Sequence, residues 1–352
     1  MKKYYTRACN FFYGSYSKQL VKKKLTLPLC GENTVSFNQV EIFIRDRKSI
    51  KSKIFDLRNI KKLPLNLKNK ISNDINQIIK KREFFKKAPH MLMGILNMTP
   101  DSFSDGGKFN SLQKANQRIN FMIKAGADII DIGGESTRPG SKIISQKDEL
   151  RRVKKVIDIF KKKFPKTLLS IDTRKSLVME YSIKKKADII NDVSSFKFDT
   201  NSFNSIKDKN LWKIIHHMQG TPQTMQINPN YNHVLLDIYD FFENEIKKFK
   251  NHKHKKKLIL DPGIGFGKNL KHNLMILNKI SIFHSLGFPI LIGTSRKRFI
   301  DQISSEYVTK EKIGGTLSSI LFSFSQGIKI FRVHNVKEVK QGLLVFETIM
   351  NK

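Results

Sequence analysis

The feature that most constrains the fold is a series of eight short apolar segments between residues 91 and 334, each ending in or followed at once by polar or ionisable residues. These segments are Leu92–Leu96, Ile129–Ile132, Leu168–Ile171, Ile189–Ile190, Lys213–Ile215, Leu258–Leu260, Ile290–Ile292 and Ile330–Val333. Most gaps between them carry an amphipathic helical pattern, as in Leu112–Lys124 and Asp148–Lys163. Strands that alternate with helices indicate a parallel sheet. Eight such units over roughly 260 residues favour an α/β fold of the (β/α)8 TIM-barrel type over an open sheet.

Polar side chains stand where these predicted strands end, and that end of a TIM barrel carries its active site. Asp172, Asn191, Asp261 and Lys297 follow four different strands. Carboxylates accept paired N–H donors and a lysine can hold a carbonyl oxygen or ring nitrogen, so the set suits a planar heterocycle. One buried aspartate is more often a structural partner, but several at the ends of barrel strands favour a binding site.

The loops after the first two predicted strands have the composition of a metal and phosphate site. Asn97 offers an amide oxygen, a hard ligand suited to Mg²⁺ alongside substrate phosphates, and the segment at Asp105 is suited to a mobile lid. Thr137 and Arg138 can donate hydrogen bonds to phosphate oxygens. Both loops also have ordinary interpretations: a structural polar turn, and an arginine paired with Glu135 on the surface.

The segment Asp261–Lys268 is rich in glycine but is not a nucleotide-binding loop. Pro262 and Asn269 break the Walker pattern, and Lys268 stands where the dinucleotide motif needs its third glycine. We interpret it as a flexible turn beside a ligand, with Phe266 available to stack on a planar ring.

Arg332 and His334 close the last predicted strand. Residues at i and i+2 of a strand share a face, and phosphates commonly bind after strands 7 and 8 of this fold, so the pair predicts a pyrophosphate clamp. A histidine on an apolar strand can also be an ordinary core residue. His216 and His217 lack a third ligand at zinc-like spacing, and no metal is predicted there.

Together these motifs closely resemble those of dihydropteroate synthases over residues 91–352. The matching segments, in family order, are Gly94–Gly107, Asp131–Gly140, Ser170–Thr173, Ile190–Val193, His217–Gly220, Leu260–Leu270, Ser295–Lys297 and Arg332–His334. Each is weak alone, and the combination is very specific. The resemblance implies a Mg²⁺-dependent transferase of folate synthesis. Its substrates would be 6-hydroxymethyl-7,8-dihydropterin pyrophosphate and p-aminobenzoate, and its products 7,8-dihydropteroate and pyrophosphate.

The resemblance also implies a role for each matching residue. The metal ligand would be Asn97, approached by Asp105 when the first loop closes. The pyrophosphate would be held by Thr137, Arg138, Arg332 and His334, with Val333 between the last two. The pterin would be held by Asp172, Asn191, Asp261 and Lys297, in a slot lined by Met218 and Phe266. The p-aminobenzoate site would be bordered by Phe103, Pro139 and Ser295. Asp131 would organise the site, and the residues expected to act in catalysis are Asp105, Asp131, Lys297, Arg332 and His334.

Two parts of the chain depart from the compact members of the family. Asn335 stands where aspartate is more usual, although asparagine can still accept a hydrogen bond. Residues 1–88 form a predicted accessory region of unknown role before the barrel at 89–352, with one or two strands over Thr34–Ile44 and a helix over about Lys68–Lys87. This region weakly resembles the N-terminal extension of some alphaproteobacterial members, which argues against a transit peptide.

Composition narrows the class of protein further. The net charge of +36 favours anionic ligands, but the lysines are scattered and no aromatic platform lies among them, so no specific nucleic-acid binding is expected. Only Cys9 and Cys30 occur, which fits a reducing compartment. No apolar run is long enough to span a membrane, and we expect a cytoplasmic enzyme, with a family-like homodimer.

Two other functions fit parts of the sequence. A pterin-dependent methyltransferase would share the pocket of Asp172, Asn191 and Asp261, but it would not need the Asn97 loop or the clamp of Arg332 and His334. A non-catalytic pterin- or nucleic-acid-binding protein would be indicated by loss of Asn97, Lys297 or Arg332, and all three are present.

Overall fold

The computed structural model describes residues 2–47, 49–82, 84, 90–99, 108–136, 140–304 and 312–351. Its N-terminal region is an antiparallel sheet covered by a helix. The elements are β1 (Lys3–Tyr13), α1 (Gly14–Lys22), β2 (Leu27–Leu29), β3 (Glu32–Asp46), β4 (Ser49–Asp56) and α2 (Leu65–Ile79). The long β3 pairs with β1 on one side and with β2 and β4 on the other. Ile71, Ile75 and Ile78 of α2 recur at helical spacing and pack against the sheet, which gives this region an apolar core of its own.

The sequence located this region only in part. The predicted strand at Thr34–Ile44 lies within β3, but the region holds three further strands. The predicted helix is too long, because α2 ends at Ile79 and Lys80 is already extended. The periodic apolar positions stop there and three cations follow, so no buried face remains to stabilise another helical turn.

The eight predicted apolar segments form the eight parallel strands of a barrel. They are β5 (Met91–Asn97), β6 (Ile129–Gly133), β7 (Leu168–Asp172), β8 (Ile189–Asp192), β9 (Trp212–His216), β10 (Leu258–Asp261), β11 (Leu291–Ile292) and β12 (Ile330–Val333). Hydrogen bonding follows the order β10-β9-β8-β7-β6-β5-β12-β11. A parallel bridge between Leu260 and Ile290 joins the two ends of this sheet. The prediction of a TIM barrel is therefore confirmed.

Helices surround the strands. They are α3 (Lys108–Lys124), α4 (Gln146–Lys163), α5 (Ser176–Lys184), α6 (Ser202–Ile206), α7 (Val234–Lys248), α8 (Leu270–Asn278), α9 (Arg298–Ile303), α10 (Ile313–Ser325) and α11 (Val336–Met350), with a 3-10 helix at Ile280–Leu286. Among the described residues, no helix is long and apolar enough to cross a membrane.

The N-terminal sheet is fastened to the barrel through α7. Arg45 pairs with Asp237 at 2.5 Å and Asp240 at 2.9 Å, and Lys3 pairs with Asp240 at 2.6 Å. Beneath these ion pairs the Tyr5 ring lies edge-on to a tyrosine of α7. The buried aromatic contact contributes more than the partly exposed ion pairs, which solvent screens.

The floor of the barrel is an apolar layer at the amino ends of the strands. Its buried members are Phe84, Met93, Ile129, Ile189, Ile214, Ile259, Leu291 and Ile330. Phe84 comes from the connection between the N-terminal region and β5, and its ring meets Trp212 edge-on at 4.7 Å. Because alternate residues of a strand share a face, the side chains two positions further along five of these strands form the next layer. These are Asp131, Asn191, His216, Asp261 and Arg332.

Candidate active site

The centre of that second layer is an ion pair network that connects three strands. Arg332 of β12 donates from Nε to Asp131 Oδ2 of β6 at 2.7 Å, and from Nη2 to Asp172 Oδ2 of β7 at 2.7 Å. Asp131 is fully buried. Two carboxylates at one place would repel each other, and the planar guanidinium between them offsets this repulsion.

Ser170 and Asn191 complete the hydrogen bonding of Asp131. The Ser170 hydroxyl donates to Oδ1 at 2.6 Å, and Asn191 Nδ2 donates to Oδ2 at 3.1 Å. The other side-chain atom of Asn191, the buried Oδ1, finds no donor in the part of the chain that the structure describes. A buried acceptor without a partner is costly, so this position suits an N–H group of a ligand.

Burial shifts the ionisation of the groups around this centre toward neutral pH. It raises the pKa of Asp172 to about 7, against the opposing charge of Arg332. It raises the pKa of Asp261 to about 6, although the Gly263 N–H donates to this carboxylate at 2.8 Å. It lowers the pKa of Lys297 to about 8, and nearby Arg332 acts in the same direction. Such shifted groups gathered at the ends of barrel strands are typical of an active site.

The glycine-rich turn after β10 lies tightly against the end of β9. Gly263 has a φ of +68°, and a Cβ there would come within 1.9 Å of the His217 carbonyl oxygen, so only glycine fits. Buried Lys268 donates from Nζ to the carbonyl oxygens of Phe266 at 2.9 Å and His217 at 3.3 Å. A buried lysine thus holds the backbone of this turn in place in the structure, and the flexibility expected of the turn stays a prediction.

Phe266 projects from this turn toward the polar layer. The Lys297 ammonium lies 3.9 Å from the centre of its ring, and the His216 ring meets it edge-on at 4.6 Å. The structure thus brings together two residues expected in the pterin site. Met218, expected in the same slot, is half-buried just after β9.

Ser295 has a different contact from the one expected. Its Oγ lies 3.0 Å from His334 Nδ1 and accepts the His334 backbone N–H at 3.2 Å. Ser295 therefore fixes the position of His334, whatever it contributes to a p-aminobenzoate site. Val333 is buried on the other face of β12. Asn335 accepts hydrogen bonds from Arg296 at 2.9 and 3.2 Å, so the amide still provides an acceptor at this position.

Sequence reasoning missed a buried ionic network behind the second loop. Glu135 accepts from Arg174 Nε at 2.7 Å, from Lys175 Nζ at 3.0 Å and from the Ile144 N–H at 3.2 Å. Lys175 also donates to buried Glu149 at 2.7 Å. Glu135 is therefore not paired on the surface, as one interpretation of the sequence had it. Its hydrogen bond with the Ile144 N–H links the two ends of the loop between residues 135 and 144.

Five of the predicted site residues lie outside the described residues: Phe103, Asp105, Thr137, Arg138 and Pro139. Asn97 is described. It ends β5 opposite Gly133 and is half-buried, and none of the hydrogen bonds between described residues uses its side chain. No group of three or more His, Cys, Asp or Glu side chains in the described ranges could hold a metal by itself.

A TIM barrel with a buried polar layer toward the carboxyl ends of its strands has the arrangement of a TIM-barrel enzyme, whose active site lies at that end. Residues 93–334 match the family described as pterin binding enzyme. The dihydropteroate synthase of Escherichia coli K12 is 42% identical over 264 residues, covering 75% of this chain and 92% of that protein.

Solved structures give the same result. A Yersinia pestis dihydropteroate synthase with a sulfonamide drug complex matches with a TM-score of 0.69 and 39% identity, over 75% of this chain and 95% of the other. A Xanthomonas albilineans dihydropteroate synthase in complex with 7,8-dihydropteroate matches with a TM-score of 0.66 and 30% identity, over 74% and 93%. The chain belongs to the dihydropteroate synthase family. The prediction of this family and of a transferase in folate biosynthesis is confirmed.

Proposed function

We propose that the polar layer binds the pterin of 6-hydroxymethyl-7,8-dihydropterin pyrophosphate and presents its methylene to p-aminobenzoate. The observation that carries this proposal is the incomplete hydrogen bonding of the layer. Asn191 Oδ1 is buried without a donor among the described residues. Asp172 accepts from Arg332 through Oδ2, and its Oδ1 accepts no hydrogen bond from the described residues. The aminopyrimidinone edge of a pterin offers adjacent N–H donors, which match such acceptors.

The remaining polar groups fit the same ring. Asp261 accepts from Gly263 in the Phe266 turn and Lys297 lies over the Phe266 ring, and the two supply an acceptor and a donor. With a pKa near 8, Lys297 still carries a proton at pH 7 and can donate it in a hydrogen bond to a carbonyl or ring nitrogen. Arg332, which holds Asp131 and Asp172 in place, acts here first as a positioning residue.

Mg²⁺ binding is a further part of the proposal. The half-buried Asn97 side chain offers a neutral oxygen at the end of β5, and the described residues provide no carboxylate cluster that would hold the ion without substrate. Asn97 would hold Mg²⁺ through this oxygen, together with water and the pyrophosphate of the substrate. When bound, Mg²⁺ would neutralise charge that develops on the leaving pyrophosphate.

The chain's own residues then act by position and charge. The C–O bond between the methylene and pyrophosphate breaks, the aniline nitrogen forms the new C–N bond, and the amine loses a proton. His334, held by Ser295, and Arg332 would stabilise the leaving group, with Thr137 and Arg138 from the second loop. Such electrostatic positioning needs no covalent enzyme intermediate.

The first prediction is that the chain releases pyrophosphate from the pterin substrate only when p-aminobenzoate and Mg²⁺ are both present. A coupled pyrophosphate assay with Mg²⁺ or with EDTA measures this. Asn97→Ala should raise the Mg²⁺ concentration for half-maximal rate by at least about tenfold, as losses near metal sites commonly do. Asn38→Ala, on the N-terminal sheet, is the matched asparagine control.

Two results would count against the proposal. If a folded chain binds the pterin but releases no pyrophosphate, the methyltransferase or binding-only alternatives are favoured. If Asn97→Ala and Asn38→Ala need the same Mg²⁺ concentration, the metal role of Asn97 is wrong.

A homodimer in the cytoplasm completes the proposal. Exposed apolar side chains lie on the outer faces of α10 and α11, namely Phe322, Leu344, Val345 and Ile349. A patch of this kind suits a two-fold interface. The second prediction is therefore a dimer mass in sedimentation equilibrium, reduced to the monomer mass by Leu344→Glu and unchanged by Ile54→Glu on the exposed edge strand β4. A monomer at micromolar concentration would exclude this interface.

A further inference from the structure

Cys30 occupies an unusual place in the backbone. It and Gly31 form the two-residue connection between β2 and β3, with φ values of +53° and +79°. Hairpins of this type favour asparagine, aspartate or glycine at the first position, because other side chains are strained there. The turn lies beside the amino ends of β11 and β12, where it shares a cavity with Ile290 and Lys329, and the Cys30 N–H donates to the Ile78 carbonyl at 2.9 Å.

The Cys30 thiol faces a histidine whose tautomer is fixed. Its Sγ lies 3.3 Å from His284 Nδ1, and His284 Nε2 lies 2.9 Å from the Gln326 carbonyl oxygen. A carbonyl only accepts, so Nε2 carries the proton and Nδ1 presents its lone pair to the thiol. Gly327 permits this approach, since a Cβ there would lie 3.1 Å from His284 Nε2. A nucleophile, a base and a group that orients the base thus stand in line.

A small polar cavity adjoins this pair. Its lining includes Cys30, Lys81, Arg82 and His284 together with the ion pair of Lys329 and Glu32, and its volume of about 10 Å³ suits one very small molecule. Arg82 is 5% exposed; it donates from Nη2 to the His284 carbonyl oxygen at 2.9 Å. Its buried Nε finds no acceptor within the described ranges. An oxygen atom in the cavity would provide that acceptor.

The two cysteines of the chain differ in charge environment and not in exposure. Each is 6% exposed. Burial raises the pKa of Cys9. Burial would also raise the pKa of Cys30, but His284, Arg82 and Lys329 outweigh it and lower that pKa to about 6.

We propose that Cys30 and His284 form a reactive thiol–imidazole pair, and that hydrogen peroxide entering the adjoining cavity oxidises Cys30 to a sulfenic acid. The thiol proton passes to His284 Nδ1. The thiolate sulfur attacks one peroxide oxygen, an S–O bond forms and the O–O bond breaks. Sulfur is oxidised by two electrons, and the leaving hydroxide takes the proton from His284 to give water. The new oxygen accepts a hydrogen bond from Arg82 Nε.

The experiment treats the full-length chain with hydrogen peroxide and dimedone, and mass spectrometry follows the adduct on each cysteine. Cys30 should be labelled about fivefold faster than Cys9 or more, because its larger thiolate fraction outweighs the lower nucleophilicity of a low-pKa thiolate. Cys9→Ser should leave the labelling unchanged, and Cys30→Ser should abolish the fast phase. Equal rates, or no adduct on a folded chain whose urea-unfolded form is labelled at both cysteines, would overturn the proposal.

A second arm tests the imidazole. His284→Gln should slow labelling of Cys30 toward the rate of Cys9, whereas His254→Gln on the surface should not. An unchanged rate in folded His284→Gln would show that the histidine is not the base. If His284→Gln does not fold, the comparison of Cys30 with Cys9 in the native chain still decides whether Cys30 is reactive.

Discussion

The two ends of the barrel are made by the same strands and differ in chemistry within two residues. On β6 the inward positions change from Ile129 to Asp131, and on β12 from Ile330 to Arg332. Two residues span about 7 Å of strand. An apolar floor and a charged layer therefore lie in direct contact, and the floor keeps water away from one side of the charges.

The groups at this end of the barrel are poorly solvated. Their burial raises the pKa of Asp172 and Asp261 and lowers the pKa of Lys297. The floor stabilises the fold by burial, whereas the polar layer is stable only while its buried charges stay paired. A substitution in the floor should therefore lower stability alone, and one that breaks the polar pairs should lower stability and activity together.

The largest effect is expected for Asp131→Ala, which removes the acceptor of three hydrogen bonds. Arg332 loses one of its two carboxylates, and Ser170 and Asn191 lose their partner. We expect a loss of about 3–5 kcal/mol in the free energy of unfolding, together with loss of pyrophosphate release. Urea unfolding and the coupled assay measure the two. A stable and active Asp131→Ala enzyme would show that the network is dispensable.

Ile129→Ala changes the apolar floor two residues before Asp131 on β6. A cavity in the fully buried layer should lower the free energy of unfolding by about 3 kcal/mol. At a temperature where the variant is folded, its kcat should stay within about twofold of wild type, since no polar contact changes. A large fall in kcat with an unchanged KM would show that the floor contributes to catalysis as well as to stability.

The smallest effect is a pH dependence. Asp172 must be ionised to accept from the pterin, and its pKa is raised to about 7, so protonation removes the acceptor as the pH falls. The value of kcat/KM should decrease about tenfold per pH unit below that pKa, and Asp261, whose pKa is raised to about 6, should contribute at lower pH. Asp172→Asn should be slow and lack this part of the limb, while Asp208→Asn on the surface should keep it. An acidic limb unchanged by Asp172→Asn would exclude this carboxylate.

The barrel was predictable because its signal is local. Each strand is a short apolar run that ends in polar residues, and the order of the motifs along the chain indicates the family. The positions of Asp131, Asn191, His216, Asp261 and Arg332 in one layer follow from the strand period, because each stands two residues after a member of the apolar floor. Ser170 could have been found in the same way, because it precedes Asp172 by two residues on the same strand.

Other features could not be predicted, because they depend on distant contacts. Glu135 and Lys175 are 40 residues apart in the sequence, and no periodic pattern predicts that they pair. In the sequence, Lys268 could be compared only with glycine-rich motifs. Its burial results from the close approach of the loops after β9 and β10, whose carbonyl oxygens it contacts. In the N-terminal region, β1 has polar and apolar residues on both faces, since one face covers α2 and the other meets the barrel.

The closed floor has a consequence for the order of events. Phe84 and the apolar floor close the amino end of the barrel, so in the part of the chain that the structure describes a ligand reaches the polar layer from the carboxyl ends of the strands. A ring bound against Asp131 and Asn191 lies directly above the floor, and a molecule bound nearer the carboxyl ends covers it. Under the proposed function, the pterin therefore enters before the amine.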